Sequence, residues 1–173
     1  MPGHAAHRRR SIRLHDYDYS ATGAYFITIC TQGRACLFGE VVDGAMCLNG
    51  TGAMIESVWN LLPQRYPGIT LDAFVVMPNH IHGIVSIDGP VGAIHELPLH
   101  QRRSMTLPKV VGYLKMNTAK HINQSRATPG VPVWQRNYYE RIIRDDRELA
   151  VIREYIAANP AKWADDDYHP MRL

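Results

Sequence analysis

Hydrophobic and polar positions change period several times along this chain, and each change predicts an element. Residues 24–31, Ala-Tyr-Phe-Ile-Thr-Ile-Cys-Thr, are β-branched and aromatic and predict a strand. Residues 37–48 carry two short apolar runs around Asp43-Gly44, which predicts a small hairpin. Met54, Val58, Leu61 and Leu62 recur at helical spacing over 51–62, with Pro63 as the expected stop. Two strands are predicted over 71–77 and 80–87, joined by the turn pair Pro78-Asn79. The clearest helix is 106–122. Its stripe is Leu107, Val110, Val111, Leu114, Thr118 and Ile122, with Lys109, Tyr113, Met116 and Lys120 roughly opposite. Residues 131–143 return to strand character after Pro129-Gly130. Asp145 and Glu148 form a capping-box-like start for a helix reaching about residue 158, which Pro160 ends.

The order is strand, helix, two strands, helix, strand and a terminal helix. It predicts an α+β fold: a ferredoxin-like βαββαβ antiparallel sheet with helices on one face, plus a C-terminal helix. A length of 173 residues fits one domain, 1–173, with a basic N-terminal arm at 1–20 and a glycine- and proline-interrupted loop insertion at 88–105. With 46% of residues hydrophobic, the chain can bury a core. No apolar run approaches the roughly 18–20 residues of a membrane span, and the N-terminus is too basic for a signal peptide. Cys30, Cys36 and Cys47 form neither a C-x-x-C pair nor an even disulfide set, so a cytoplasmic location is expected.

Charge sharpens the picture through its distribution, because the net value is only +3. Residues 1–15 hold Arg8, Arg9, Arg10 and Arg13 and no carboxylate, and 101–126 hold Arg102, Arg103, Lys109, Lys115, Lys120 and Arg126, again with none. Residues 38–96 set six acids against Arg65 alone. Such segregation predicts a positive face for a polyanion, the bland alternative being solvated surface charge.

Two short motifs carry candidate chemistry. In His80-Ile81-His82 the imidazoles stand on one face of a strand, near its start and therefore near an open rim, while Ile81, Val85 and Ile87 face the core. Two neutral imidazoles side by side are half of a metal site. They are equally compatible with two strand histidines that bind nothing. Tyr155 and Asn159 are four apart and share a helix face, although Pro160 disfavours helical geometry at Asn159. The plain alternatives are a packing tyrosine and a helix cap. A phenol can attack a phosphodiester and hold the 5′ end as a phosphotyrosine, but with a pKa near 10 it needs help at neutral pH. A divalent cation on the scissile phosphate supplies it. Two histidines and an amide oxygen suit Mg²⁺ or Mn²⁺, and no cysteine lies near either motif in sequence.

These residues together resemble a known family. The matching segments are Arg10-Ser-Ile-Arg13 with Tyr17-Asp-Tyr19, Gly23-Ala-Tyr-Phe-Ile-Thr28, Val75-Val-Met-Pro-Asn-His-Ile-His82, Val133-Trp-Gln-Arg-Asn-Tyr-Tyr-Glu-Arg141, Ile143-Arg-Asp145 and Tyr155-Ile-Ala-Ala-Asn-Pro160. They span nearly the whole chain. The chain resembles the HUH single-strand endonucleases, and more closely the one-tyrosine transposases of the IS200/IS605 type with their REP-associated members. The resemblance implies that His80 and His82 bind a divalent metal, Mg²⁺ or Mn²⁺. It implies that Asn159 is a third ligand and that Tyr155 is the nucleophile on the terminal helix. The implied activity is metal-dependent cleavage and transfer of single-stranded DNA near hairpins. Arg8, Arg9, Arg10, Arg13, Lys109 and Lys120 would then contact the DNA backbone. Tyr138 and Tyr139 rank below Tyr155 as nucleophiles, since relatives can carry other aromatics there. Two departures are the 88–105 loop and the short stretch after Asn159-Pro160. Relatives act as homodimers or monomers, and both stay open. Two rival readings remain: a non-catalytic nucleic-acid-binding protein on the same fold, and a zinc hydrolase, which lacks a third Cys, His or acidic ligand at the usual spacing.

Overall fold

The strand that carries the two histidines is the pivot of the architecture. The computed structural model describes residues 23–88 and 106–172. The chain runs β1 (Gly23–Cys30), β2 (Gly39–Val42), β3 (Ala45–Leu48), α1 (Gly50–Asn60), α2 (Leu62–Arg65), β4 (Ile69–Val76), β5 (His80–Ile87), α3 (Thr106–Ser125), β6 (Tyr139–Ile143) and α4 (Asp146–Ala158). Four strands form one antiparallel sheet in the order β4-β5-β1-β6, the ferredoxin-like arrangement that the element order predicts. β2 and β3 form a separate hairpin whose turn residues Asp43 and Gly44 both have positive φ, as a two-residue turn of the favoured hand requires.

Alternation along the strands gives the sheet two dry faces. Tyr25, Ile27, Ile29, Ile81, Val85 and Ile87 point to one side and pack with α1 (Ile55, Trp59) and α3 (Leu107, Val110, Leu114). Phe26, Ile84 and Ile143 point to the other and pack with Ile152 and Ile156 of α4. The expected one-sided helix layer is therefore α1 and α3, and the terminal helix takes the opposite face, the one bearing His80 and His82. Gly83 lies between His82 and Ile84 with its open side to the core. A Cβ there would sit 2.7 Å from Trp59 Cζ2 and 3.1 Å from Phe74 Cδ2, and the indole stacks on the Phe74 ring at 4.3 Å.

Several expected boundaries move for identifiable reasons. Asn49 Oδ1 accepts the N–H groups of Thr51 and Gly52 and starts α1. Pro63 does not end that helix but occupies the first turn of the short α2, where its missing N–H costs nothing. The strand expected over 131–143 is confined to Tyr139–Ile143. Upstream, Trp134 makes only an isolated bridge with Thr31, and the Lys115 ammonium donates to the Gln135 and Arg136 carbonyls at 2.7 and 3.0 Å, satisfying them without a ladder. Asn159 stays helical (φ −59°, ψ −44°) despite Pro160, which opens a 3₁₀ segment, Pro160–Asp165. No helix among the described residues is long and apolar enough to cross a membrane. The 1–20 arm, with Arg8, Arg9, Arg10 and Arg13, and all but the first residue of the 88–105 loop lie outside the described residues.

Candidate active site

Register alone brings three polar side chains together. Thr28 of β1 faces His82 of β5 across the ladder, and Cys30 faces His80. The Thr28 hydroxyl is 2.7 Å from His82 Nδ1, and His80 Nδ1 is 2.8 Å from Asn79 Oδ1. With both Nδ1 atoms engaged, the two Nε2 atoms turn inward and approach to 3.0 Å. The pair does not sit on an open rim, as the sequence suggests. His80 is 0% and His82 1% exposed, because α4 and the segment after it fold across the strand end. Burial lowers both imidazoles far below their ordinary value, to about 2 for His80 and about 3 for His82, with the neighbouring ring also acting on His80. Both rings are therefore neutral, the form that can offer a lone pair to a metal.

The second half of the site comes from α4 and its continuation. Asp145 caps α4 by accepting from Glu148 N at 2.7 Å, and Ile152 and Ile156 seat the helix on Phe26, Ile84 and Ile143. That seating aims Tyr155 at the histidines: its hydroxyl lies 3.3 Å from His82 Nε2. Phe26 forms a shared wall, stacking on His82 at 5.4 Å and meeting Tyr155 edge-on at 6.0 Å. The Tyr155 phenol is pushed above its ordinary pKa by burial and by Asp166, against a hydrogen bond with Asn159 that lowers it. Asn159, one turn on, is 3% exposed, and its Oδ1 is buried with no hydrogen-bond partner among the described residues. Asp166 Oδ2 lies 4.0 Å from His80 Nε2, and burial raises the Asp166 carboxyl.

This donor set fits a hard divalent cation. His80, His82 and Asp166 each offer a ligand atom within 4.8 Å of the others. The 3.0 Å between the Nε2 atoms matches adjacent corners of an octahedron with bonds of about 2.1 Å. The unpartnered Asn159 Oδ1 supplies a further hard donor, and a buried carboxylate beside two neutral rings leaves the cluster negative. Contrary to the sequence reading, a thiol is close in space. Cys30 pairs with His80, but burial pushes its pKa up to about 11, which keeps it protonated.

The structure brings His80, His82, Tyr155 and Asn159 together within one chain. It does not bring Lys109 or Lys120 to them, because α3 packs on the opposite face of the sheet. Tyr138 packs toward the α1 and α3 core, whereas Tyr139 shares the histidine face and meets Phe26 at 6.2 Å. Asp166 is the candidate ligand that sequence reasoning missed, and it supplies the third group that the zinc reading lacked. Its only signal was the Asp165-Asp166-Asp167 run just past Asn159-Pro160. Thr28 and Asn79 were missed as well: one was counted as a strand former, the other as a turn residue. The aromatic platform that a passive binder would need is not free at the sheet centre, since α4 covers Phe26 and Ile84.

Comparison with known proteins adds an independent line. A family model described as IS200-like transposase matches residues 58–159, from α1 through Asn159. An uncharacterized protein of Haemophilus influenzae is 39% identical over 171 residues, 94% of each chain. A second protein of that organism, named for the REP-associated tyrosine transposases, is 28% identical over 147 residues, 84% of this chain and 74% of its own. A solved structure described as a REP-associated tyrosine transposase bound to a REP hairpin superposes with a TM-score of 0.57 at 20% identity. It covers 87% of this chain and 74% of that one, and it shares the fold.

Proposed function

The chain belongs to the IS200-like transposase family, and from that premise we propose that it is a metal-dependent endonuclease and strand-transferase for single-stranded DNA, cutting near hairpins through Tyr155. The observation that carries this reading is the 3.3 Å approach of the Tyr155 hydroxyl to the paired imidazoles, made within one chain. His80, His82, Asn159 and Asp166 would hold the ion. When bound, Mg²⁺ or Mn²⁺ supplies positive charge against the scissile phosphate and its developing negative charge.

Tyr155 attacks phosphorus. The Oη–P bond forms as the P–O3′ bond breaks, and the electron pair leaves on O3′. The phenol gives up its proton, O3′ takes one up, and the products are a 5′-phosphotyrosine and a free 3′-hydroxyl. Attack by another 3′-hydroxyl runs the step in reverse and rejoins strands without ATP. Phe26 fixes the phenol's azimuth, and the raised Tyr155 pKa keeps it protonated until a phosphate is engaged. A relative's structure contains a REP hairpin, and a hairpin-bearing single strand is the substrate proposed here. Arg8, Arg9, Arg10, Arg13, Lys109 and Lys120 are proposed contacts to backbone phosphates away from the cleavage point. The test incubates the protein with labelled hairpin oligonucleotides and Mn²⁺ or Mg²⁺, and seeks a covalent protein–DNA adduct on a denaturing gel. The adduct forms with the parent and with Tyr139→Phe, and not with Tyr155→Phe. Adduct from Tyr155→Phe overturns the nucleophile assignment.

A further inference from the structure

We infer that Asn79 is a positioning residue that fixes the His80 proton on Nδ1, so that Nε2 always presents its lone pair, while Thr28 leaves the His82 proton free to change sides. The inference rests on the reading that this pair holds a divalent ion. Donor counting carries it. Asn79 is fully buried, and its Nδ2 donates to the backbone carbonyls of Arg34 at 3.1 Å and Tyr168 at 2.8 Å. Turning the amide over would set Oδ1 against both carbonyl oxygens, so Oδ1 is the atom at 2.8 Å from His80 Nδ1. An oxygen with no hydrogen can only accept, hence His80 Nδ1 donates and His80 Nε2 is bare.

His82 has a different partner. The Thr28 hydroxyl, 2% exposed and 2.7 Å from His82 Nδ1, both donates and accepts. When Nδ1 carries the proton, Thr28 accepts it and His82 Nε2 is bare beside His80 Nε2, the arrangement a shared cation needs. In chelator the 3.0 Å contact between the Nε2 atoms is a hydrogen bond that needs one proton. Asn79 denies it to His80, so His82 donates and the Thr28 hydroxyl turns to donate to Nδ1. A cation held by both Nε2 atoms would require His82 to carry its proton on Nδ1, with no change at His80. The same Asn79 amide holds the Tyr168 carbonyl, two residues past Asp166, and so ties the carboxylate's segment to the histidine strand.

The experiment labels histidine with ¹⁵N and records long-range proton–nitrogen correlations in EDTA and then in saturating Mg²⁺. His80 shows Nδ1–H in both, and His82 changes from Nε2–H to Nδ1–H. A proton on His80 Nε2 in EDTA, or a His82 that does not change, overturns the inference. Calorimetry with Mn²⁺ supplies the second readout. Thr28→Val, which keeps the shape and removes the hydroxyl, weakens binding about 10- to 100-fold without moving the His80 signals, and Thr28→Ser restores it. Parent-like affinity in Thr28→Val also overturns the inference. Asn79→Asp keeps an acceptor toward His80 and retains Nδ1–H there. Should its charge prevent folding, the parent spectra and the Thr28 pair still decide. Failure of the parent to bind any divalent ion defeats the functional reading instead, and the EDTA spectra are scored separately.

Discussion

Replacing Asn159 with leucine tests what its orphaned oxygen is for. A buried acceptor without a partner costs about 1–3 kcal/mol, and leucine, with the same branched outline, removes that cost. It also forfeits the Asn159 hydrogen bonds with Tyr155, Asp166 and His80, each worth about 0.5–1.5 kcal/mol. The loss exceeds the relief by about 1 kcal/mol. In EDTA the variant should therefore melt within about 4 °C of the parent, at about 2–4 °C per kcal/mol for a chain of this size. In Mn²⁺ the two proteins part. At about 100 times its Kd the ion stabilises the parent by about 2.7 kcal/mol, or about 5–11 °C. Losing one hard donor weakens binding about tenfold or more, so at the same Mn²⁺ concentration the variant gains no more than about 1.4 kcal/mol, about 3–6 °C. Differential scanning fluorimetry across a Mn²⁺ titration, with EDTA as the zero, measures both numbers. A full parental shift in Asn159→Leu, or a loss beyond about 3 kcal/mol in EDTA with the shift intact, would make Asn159 a structural residue and refute the reasoning.

Two further outcomes follow from the packing. Gly83→Ala places a methyl 2.7 Å from Trp59 Cζ2 and 3.1 Å from Phe74 Cδ2; it should cost about 1–3 kcal/mol, seen as a lowered Tm, and Trp59→Phe in the same chain should restore part of it. Asp72 and Arg153 join β4 to α4 at 2.6 Å, and the Arg153 hydrogen bond holds the Asp72 carboxyl below its usual range. The pair is partly exposed, so Asp72→Asn should cost under about 1 kcal/mol near neutrality. Because the folded pKa is depressed, that difference is present above the ordinary carboxylate value and fades as pH falls through the folded one. Paired melts of parent and variant from pH 7 to pH 3 measure it, and a gap that widens on acidification would contradict the assignment.

The sequence made the scaffold legible wherever burial is one-sided. Ile81, Val85 and Ile87 alternate with His80, His82 and Ile84, and that alternation alone puts both imidazoles on one face. The i, i+4 spacing likewise joins Tyr155 to Asn159, and the stripe from Leu107 to Ile122 matches the buried residues of α3. What stayed hidden depends on contacts distant in sequence. The depth of the histidines comes from α4 and the segment to Tyr168 folding over β5, which no local pattern encodes. Thr28 acts through strand register, and Asp166 through a 3₁₀ segment with no periodicity of its own. The strand expected over 131–138 is reduced to the bridge of Trp134 with Thr31, and the Gln135 and Arg136 carbonyls accept from Lys115, distant in sequence.

The missing side chain at Gly83 leaves the sheet one backbone thick at its busiest point, with an indole pressed on one surface and an imidazole beside it on the other. Core and chemistry share a wall there, and neither can shift without the other. A genetic screen for inactive alleles would therefore collect substitutions in α1, a helix on the far side of that wall. Loss of activity at those positions would report how the histidine strand is held from behind.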